Sequence, residues 1–254
     1  SEEQGILRQT MLFTGLEVCA YNINRKQKDL KLFEFGKIYW KNEPAGQVTQ
    51  AYSEEERLAL YLTGNVETEN WQNKTRQVNY FDLAQHVVQI LEKSAVENVK
   101  QEKLQDSLFD YGMRFLKGTK ELGKLGKVKT NLLKDFGIKQ EIFYAEINTA
   151  LLFKSANPKF VVQEVPKFPE VRRDLSLVVD KQVTFEEIKT LVMSTEKKLI
   201  KEVIAFDVYE GENIPAGKKA YALGFTLQDA NKTLTDEEID NVMNRLMGAF
   251  EGTM

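Results

Sequence analysis

Apolar positions along the chain follow two rhythms. Leu12, Leu16, Cys19, Ala20 and Ile23 recur at three- and four-residue spacing and predict a helix, with Thr14-Gly15-Leu16-Glu17 in the spacing of a capping box at its start. Leu30 to Trp40 and Arg57 to Leu62 are rich in β-formers and partly alternating, and Thr63-Gly64-Asn65 ends the second run. Tyr80, Leu83, Ala84, Val87 and Leu91 predict another helix, and Leu108 to Leu116 a further strand. The first half is therefore mixed α and β. Three of the five prolines, Pro158, Pro166 and Pro169, then fall close together, which opposes a continuous helix and predicts an extended connection. We place domains at 1–156 and 167–254 with a linker over 157–166.

Beyond the linker the order is cleaner. Leu175, Leu177 and Val179 alternate with Asp174 and Ser176, and Thr184-Phe185-Glu186-Glu187 opens a helix with a capping box. Two strands follow, Ile200 to Tyr209 and Lys219 to Gln228, separated by a turn around Gly211 to Gly217. Thr235-Asp236-Glu237-Glu238 caps a last helix that buries Ile239, Val242, Met243, Leu246 and Phe250. This β-α-β-β-α order lacks one strand of a ferredoxin-like sandwich, whose helices cover one face of an antiparallel sheet. Alternation assigns Leu175, Leu177, Ile204, Phe206, Val208, Leu223, Phe225 and Leu227 to the covered face. Arg172, Ser176, Ala205, Tyr209, Ala222, Gly224, Thr226 and Gln228 fall on the open one, which can receive a splayed base or simply stay wet.

Composition narrows the class. The chain has 254 residues, enough for two cores, with 42% hydrophobic and 29% charged residues, ordinary for a globular protein. No apolar run approaches the roughly 20 residues of a membrane span, and the start, Ser1-Glu2-Glu3-Gln4, is unlike a signal peptide, so we expect a cytoplasmic protein with no membrane partner. Cys19 is the only cysteine and reads as a buried small hydrophobe. From Lys167 to Met254 there are 12 Lys and Arg against 16 Asp and Glu, so the small domain is acidic by 4 and binds phosphate weakly by itself. The densest basic run is Arg114, Lys117, Lys120, Lys124, Lys127 and Lys129, which reads as a solvated hairpin.

Catalytic readings mostly fail. Gly118-Thr119-Lys120-Glu121-Leu122-Gly123-Lys124 has P-loop spacing, but Leu125 stands where Ser or Thr must ligate magnesium. No two glycines are separated by one residue, which excludes a dinucleotide-binding fingerprint. His86 is the only histidine and reads as a local partner of Asp82. No nucleophile with a base can be assembled, and we expect a binder.

Several segments, in order, resemble the C-terminal part of bacterial phenylalanine–tRNA ligase beta subunits. They are Leu7-Arg8-Gln9-Thr10-Met11-Leu12 through Ala20-Tyr21-Asn22-Ile23-Asn24-Arg25; Leu32-Phe33-Glu34-Phe35-Gly36-Lys37-Ile38-Tyr39; Leu62-Thr63-Gly64-Asn65; Glu69-Asn70-Trp71; Tyr80-Phe81-Asp82-Leu83; and Glu121-Leu122-Gly123-Lys124-Leu125-Gly126. The small domain adds Phe168-Pro169-Glu170-Val171-Arg172-Arg173-Asp174-Leu175 and Gln228-Asp229-Ala230-Asn231-Lys232-Thr233-Leu234-Thr235. The resemblance implies an α+β chain: a class II synthetase-like antiparallel sheet with helices but no catalytic residues, then a ferredoxin-like anticodon-binding sandwich lacking its last strand. It implies an alpha subunit, the remaining beta-subunit domains and tRNA(Phe) as partners. It also implies no cofactor in this segment, with ATP and magnesium used by the complete complex. No glycine-rich strand leading to an ATP-binding arginine is present, which agrees with a scaffold role. The residues expected to touch RNA are Arg172 and Arg173 for phosphate or stacking, Tyr209 for stacking and Gln228 for a base edge, although alternation sets the two arginines on opposite faces. A pure protein-interaction scaffold without RNA contact, and an independently active ligase, are the rivals. Salt-insensitive tRNA binding, or none, marks the first, and ATP–pyrophosphate exchange by this chain alone marks the second.

Overall fold

The computed structural model describes residues 6–42, 52–72, 74–157, 165–211 and 214–253. The chain divides into two compact units, Ser1–Phe160 and Val161–Met254. The extended connection expected over 157–166 lies largely outside the described residues.

The first unit runs α1 (Leu12–Asn24), β1 (Leu30–Lys41), β2 (Tyr52–Thr63), α2 (Tyr80–Lys93), β3 (Val99–Lys103), β4 (Phe109–Lys117), β5 (Lys120–Val128), α3 (Thr130–Asp135), β6 (Ile142–Asn148) and α4 (Thr149–Ser155). Its strands form one antiparallel sheet in the order β1-β2-β6-β5-β4-β3. Ile142-Phe143-Tyr144-Ala145-Glu146-Ile147 does not alternate, because β6 is central and buried on both faces. Ile142 and Tyr144 join Leu12, Leu16 and Leu133 in one core, while Phe143, Ala145 and Ile147 join Leu83, Val87 and Leu152 in another. Helices therefore cover both faces of the sheet.

The start of α1 departs from the capping-box expectation. The helix begins before Thr14, with Met11 at its N-cap position, and the Met11 side chain makes no capping bond. A near and a distant side chain serve instead: Thr10 Oγ1 accepts from the Leu12 N–H at 3.2 Å, and Glu146 accepts from the Met11 N–H at 3.1 Å. Thr14 Oγ1 donates back to the Met11 carbonyl at 3.1 Å. A Cβ on Gly15 would lie 2.1 Å from the Tyr61 ring, so this glycine lets α1 sit close on the sheet. Cys19 is buried in the same core, and burial pushes its thiol up to about 11.

The second unit runs β7 (Val171–Asp180), α5 (Phe185–Thr195), β8 (Ile200–Tyr209), β9 (Lys218–Leu227) and α6 (Asp236–Thr253), with an antiparallel sheet in the order β7-β9-β8. Its core joins Val179, Leu223 and Phe225 of the sheet to Ile188, Val192, Ile239, Val242, Leu246 and Phe250 of the helices. Both predicted capping boxes form: Thr184 with Glu187, and Thr235 with Glu238.

The face assignment of β8 needs correction. Its pairing with β9 slips between Ile200 and Glu202 and again between Ala205 and Asp207. A bulge adds one residue and reverses the alternation beyond it. Val203 and Ala205 thus pair with Phe225 and Leu223 on the covered face, whereas Ile204 pairs with Gly224 on the open one. Phe206 is 52% exposed and lies beneath Arg172, again on the open side. Beyond the second slip, Val208 and Tyr209 return to the predicted sides, opposite Tyr221 and Ala220.

Candidate nucleic-acid interface

The open face of the second unit is ordered in four cross-strand rows: Arg172, Thr226 and Glu202; Asp174, Gly224 and Ile204; Ser176, Ala222 and Asp207; Val178, Ala220 and Tyr209. The middle column, from β9, holds only small side chains, so it forms a trough between β7 and β8. The trough is tight at Gly224, where an added Cβ would stand 3.1 Å from both the Arg172 guanidinium and Ile204.

Tyr209 closes one end of the trough and is 45% exposed. Its ring lies back over Gly211, where a Cβ would meet the hydroxyl at 2.1 Å. Arg172 stands at the other end, with Nε donating to Asp174 Oδ1 at 2.9 Å and the guanidinium 5.3 Å from the Phe206 ring centroid. Gln228 is half-buried, and its amide donates to the Phe168 carbonyl at 2.8 Å. Arg173 belongs to the other face, where it donates to the Arg172 carbonyl and reaches Asp236 at 3.4 Å at the start of α6.

The four sequence-predicted residues therefore do not converge. The rows of Arg172 and Tyr209 are separated by the span from Thr226 to Ala220, roughly 20 Å at the rise of a β-strand. Two side chains were missed. Phe206 was assigned inward because a bulge leaves no mark in alternation. Asp207 shares a row with Ser176 and Ala222 beside Tyr209.

Three of the six cations in the basic run of the first unit are ion-paired. Arg114 pairs with Glu102 at 2.6 Å, Lys124 with Asp106 at 2.8 Å and Lys127 with Glu141 at 2.5 Å, while Lys117 donates to the Glu97 carbonyl. Lys100 and Arg114 together hold the Glu102 carboxyl below its usual range. The P-loop-like residues form the β4–β5 turn and β5 itself. A Cβ on Gly123 would stand 2.8 Å from the Glu146 carbonyl, so this glycine admits a neighbouring strand and does not fit a phosphate cradle. Asp82 also has other partners than His86: it takes both Arg76 guanidinium nitrogens at 2.7 and 2.6 Å and the Asn79 N–H at 2.8 Å. Among the described residues no three His, Cys, Asp or Glu side chains are grouped to hold a metal, and no helix is long and apolar enough to cross a membrane.

The buried polar centre of the first unit is structural. Glu146, 3% exposed, accepts from Thr10 Oγ1 at 2.8 Å, from the Met11 N–H and from the Tyr144 hydroxyl, with Arg57 Nε 3.8 Å away. Burial and the Glu146 charge push the Tyr144 hydroxyl well above its ordinary range, which removes it as a base at neutral pH.

Residues 1–149 match the family model described as the phenylalanyl tRNA synthetase beta chain CLM domain. The chain belongs to this family. Residues 166–254 match a second model, the ferredoxin-fold anticodon binding domain. Among curated relatives, the phenylalanine–tRNA ligase beta subunit of Bacteroides thetaiotaomicron is 42% identical over 99% of this chain and 32% of its own length. That of Porphyromonas gingivalis is 38% identical over the same shares, and that of Bacillus subtilis is 31% identical over 100% of this chain and 31% of its own. The chain thus spans about a third of the relatives it matches. A solved pyrrolysyl-tRNA synthetase from Desulfitobacterium hafniense aligns over 57% of this chain and 48% of its own at 15% identity and a TM-score of 0.42, too slight a likeness to carry an argument.

Proposed function

We propose that the chain is a non-catalytic part of a phenylalanine–tRNA ligase beta subunit, whose second unit contacts tRNA(Phe) near the anticodon. The observation that carries this reading is the open sheet face within residues matched by an anticodon-binding family model: a trough of small side chains closed by Tyr209. Tyr209 stacks on a base, Arg172 meets phosphate or stacks from above Phe206, and Gln228 reads a base edge by exchanging the Phe168 carbonyl for RNA. Arg173, held at the start of α6 on the other face, is the structural member of the arginine pair.

The first unit is then a scaffold for the alpha subunit and the remaining beta-subunit domains. Aromatic side chains left uncovered on it, among them Phe33, Phe35 and Trp71, support a surface that packs against protein. Ligation of phenylalanine to tRNA, with ATP and magnesium, is carried out by the whole cytoplasmic complex at the alpha subunit's site. A pure scaffold without RNA contact is the second reading, favoured by the acidic balance of residues 167–254.

Co-purification tests the proposal. This chain, and the same chain within a complete beta subunit, are passed over a tagged alpha subunit, and retained material is titrated with tRNA across a salt series. Retention with salt-dependent tRNA binding supports the first reading; retention with no contribution of the second unit to tRNA binding supports the scaffold alone; no retention from either form defeats both.

A further inference from the structure

Glu69-Asn70-Trp71, one of the segments that carry the family resemblance, belongs to neither core of the first unit. It sits at the tip of a finger between β2 and α2. At the base, Asn65 bridges to Gln77, the Val66 N–H donates to the Arg76 carbonyl at 2.9 Å and the Val78 N–H to the Gly64 carbonyl at 2.9 Å. Further out, Thr75 Oγ1 donates to the Glu67 carbonyl at 2.6 Å. At the tip, the Gln72 N–H donates to Asn70 Oδ1 at 2.9 Å, an Asx turn around Trp71. Arg76 ties the returning limb to α2 through both oxygens of Asp82, at 2.7 and 2.6 Å. The finger is therefore fixed at base, middle and tip, while Trp71 is 96% exposed. Phe81, in the first turn of α2 beside the finger's base, is 76% exposed.

An indole held out in this way adds no burial to the fold of its own chain. On a partner, an aromatic side chain buries roughly 150–250 Å², and one already ordered by its backbone loses little freedom on binding. Tryptophans filling a partner's pocket are typical binding hot spots. The chemistry of the tip selects the partner. Thr68 to Gln72 carries one carboxylate, Glu69, and no cation, which disfavours nucleic acid, whose backbone is followed by basic side chains. A domain joined to this chain by a linker is already present at high effective concentration and needs only a modest, polar interface. A separate subunit is held by its interface alone, and permanent subunit interfaces are the apolar ones.

We propose that Trp71 is an anchor for the alpha subunit, inserted from the finger into an apolar pocket of that subunit, with Phe81 packed at the rim. This inference rests on the reading of the first unit as a scaffold.

Trp71 is one of two tryptophans in the chain, so labelling with 5-fluorotryptophan gives two fluorine resonances, and Trp71→Phe assigns its own. In this chain, and in the complete beta subunit alone, the Trp71 resonance should show the solvent isotope shift of an exposed indole. Unlabelled alpha subunit should move the resonance and abolish that isotope shift. In a dilution series followed by sedimentation, Trp71→Ala in the complete beta subunit should weaken association with alpha roughly thirtyfold or more. The same change should leave the urea midpoint of this chain unaltered. The two readings fail separately. If the parent beta subunit does not bind alpha, the scaffold reading falls and this inference with it. If it binds, this inference alone is overturned by an indole that stays exposed in the complex, by one already buried in the complete beta subunit before alpha is added, or by a Trp71→Ala variant that binds as tightly as the parent. A lowered urea midpoint also overturns it, because the indole then packs within this chain.

Discussion

The carboxylate of Glu146 on β6 accepts the main-chain N–H of Met11, 135 residues earlier, at 3.1 Å. This buried side chain shares the start of α1 with Thr10, which it also accepts from at 2.8 Å, and ties that helix to the centre of the sheet. Glu146→Ala would leave the Thr10, Met11 and Tyr144 donors without their shared acceptor and the nearby Arg57 guanidinium without this counter-charge. The expected cost is about 3–5 kcal/mol, read as a lower urea midpoint with an unchanged slope. A loss below about 1 kcal/mol would show that water replaces the carboxylate.

Asp82 supplies the pH dependence. The Arg76 guanidinium, followed by the Asn79 N–H, outweighs burial and holds its carboxyl below the ordinary range. A depressed carboxyl contributes stability that is complete above its unfolded value and lost as pH falls through the folded one. Asp82→Asn should therefore cost about 0.5–2 kcal/mol at pH 7, and the gap from the parent should close as pH falls below about 4. Parallel stability profiles for the two proteins down to pH 2 would contradict the assignment.

Gly123 distinguishes strand packing from phosphate binding in the P-loop-like run. Gly123→Ala should destabilise by about 1–3 kcal/mol, because the new Cβ meets the Glu146 carbonyl of a neighbouring strand, which cannot turn aside as a side chain could. Thermal melts with and without ATP make the comparison. A variant as stable as the parent, or a parent stabilised by ATP in the absence of an alpha subunit, would count against the packing account.

Much of this architecture is legible in the chain because local patterns carry it. Thr184 and Glu187, and Thr235 and Glu238, announce their helices through contacts three residues apart, and both boxes form. The misreadings arise where a distant partner decides. Thr14 and Glu17 have capping-box spacing, yet α1 starts earlier on a carboxylate supplied by β6. Ile142 to Ile147 has no period because both its faces are buried. Ile204, Ala205 and Phe206 exchange faces because pairing with β9 contains slips that alternation cannot encode. That last error bears on function, since it hid Phe206 beneath Arg172 and understated the aromatic surface of the open face.

At that face the two arginines should differ. Arg172→Ala should lower tRNA affinity in the assembled ligase and reduce the slope of log affinity against log salt by about 1, as expected for one lost phosphate contact. Arg173→Ala, on the covered side, should leave the slope unchanged and act at most on stability. Equal slope changes would show that the two side chains share a ligand.

The most direct test of the anticodon-contact account is the affinity of the assembled ligase, with a complete beta subunit, for tRNA(Phe) before and after Tyr209→Ala. Loss of one stacked base predicts a weakening of about 1–3 kcal/mol with the salt slope unchanged, rescued by Tyr209→Phe. An affinity unaltered by Tyr209→Ala in a correctly assembled complex would contradict it.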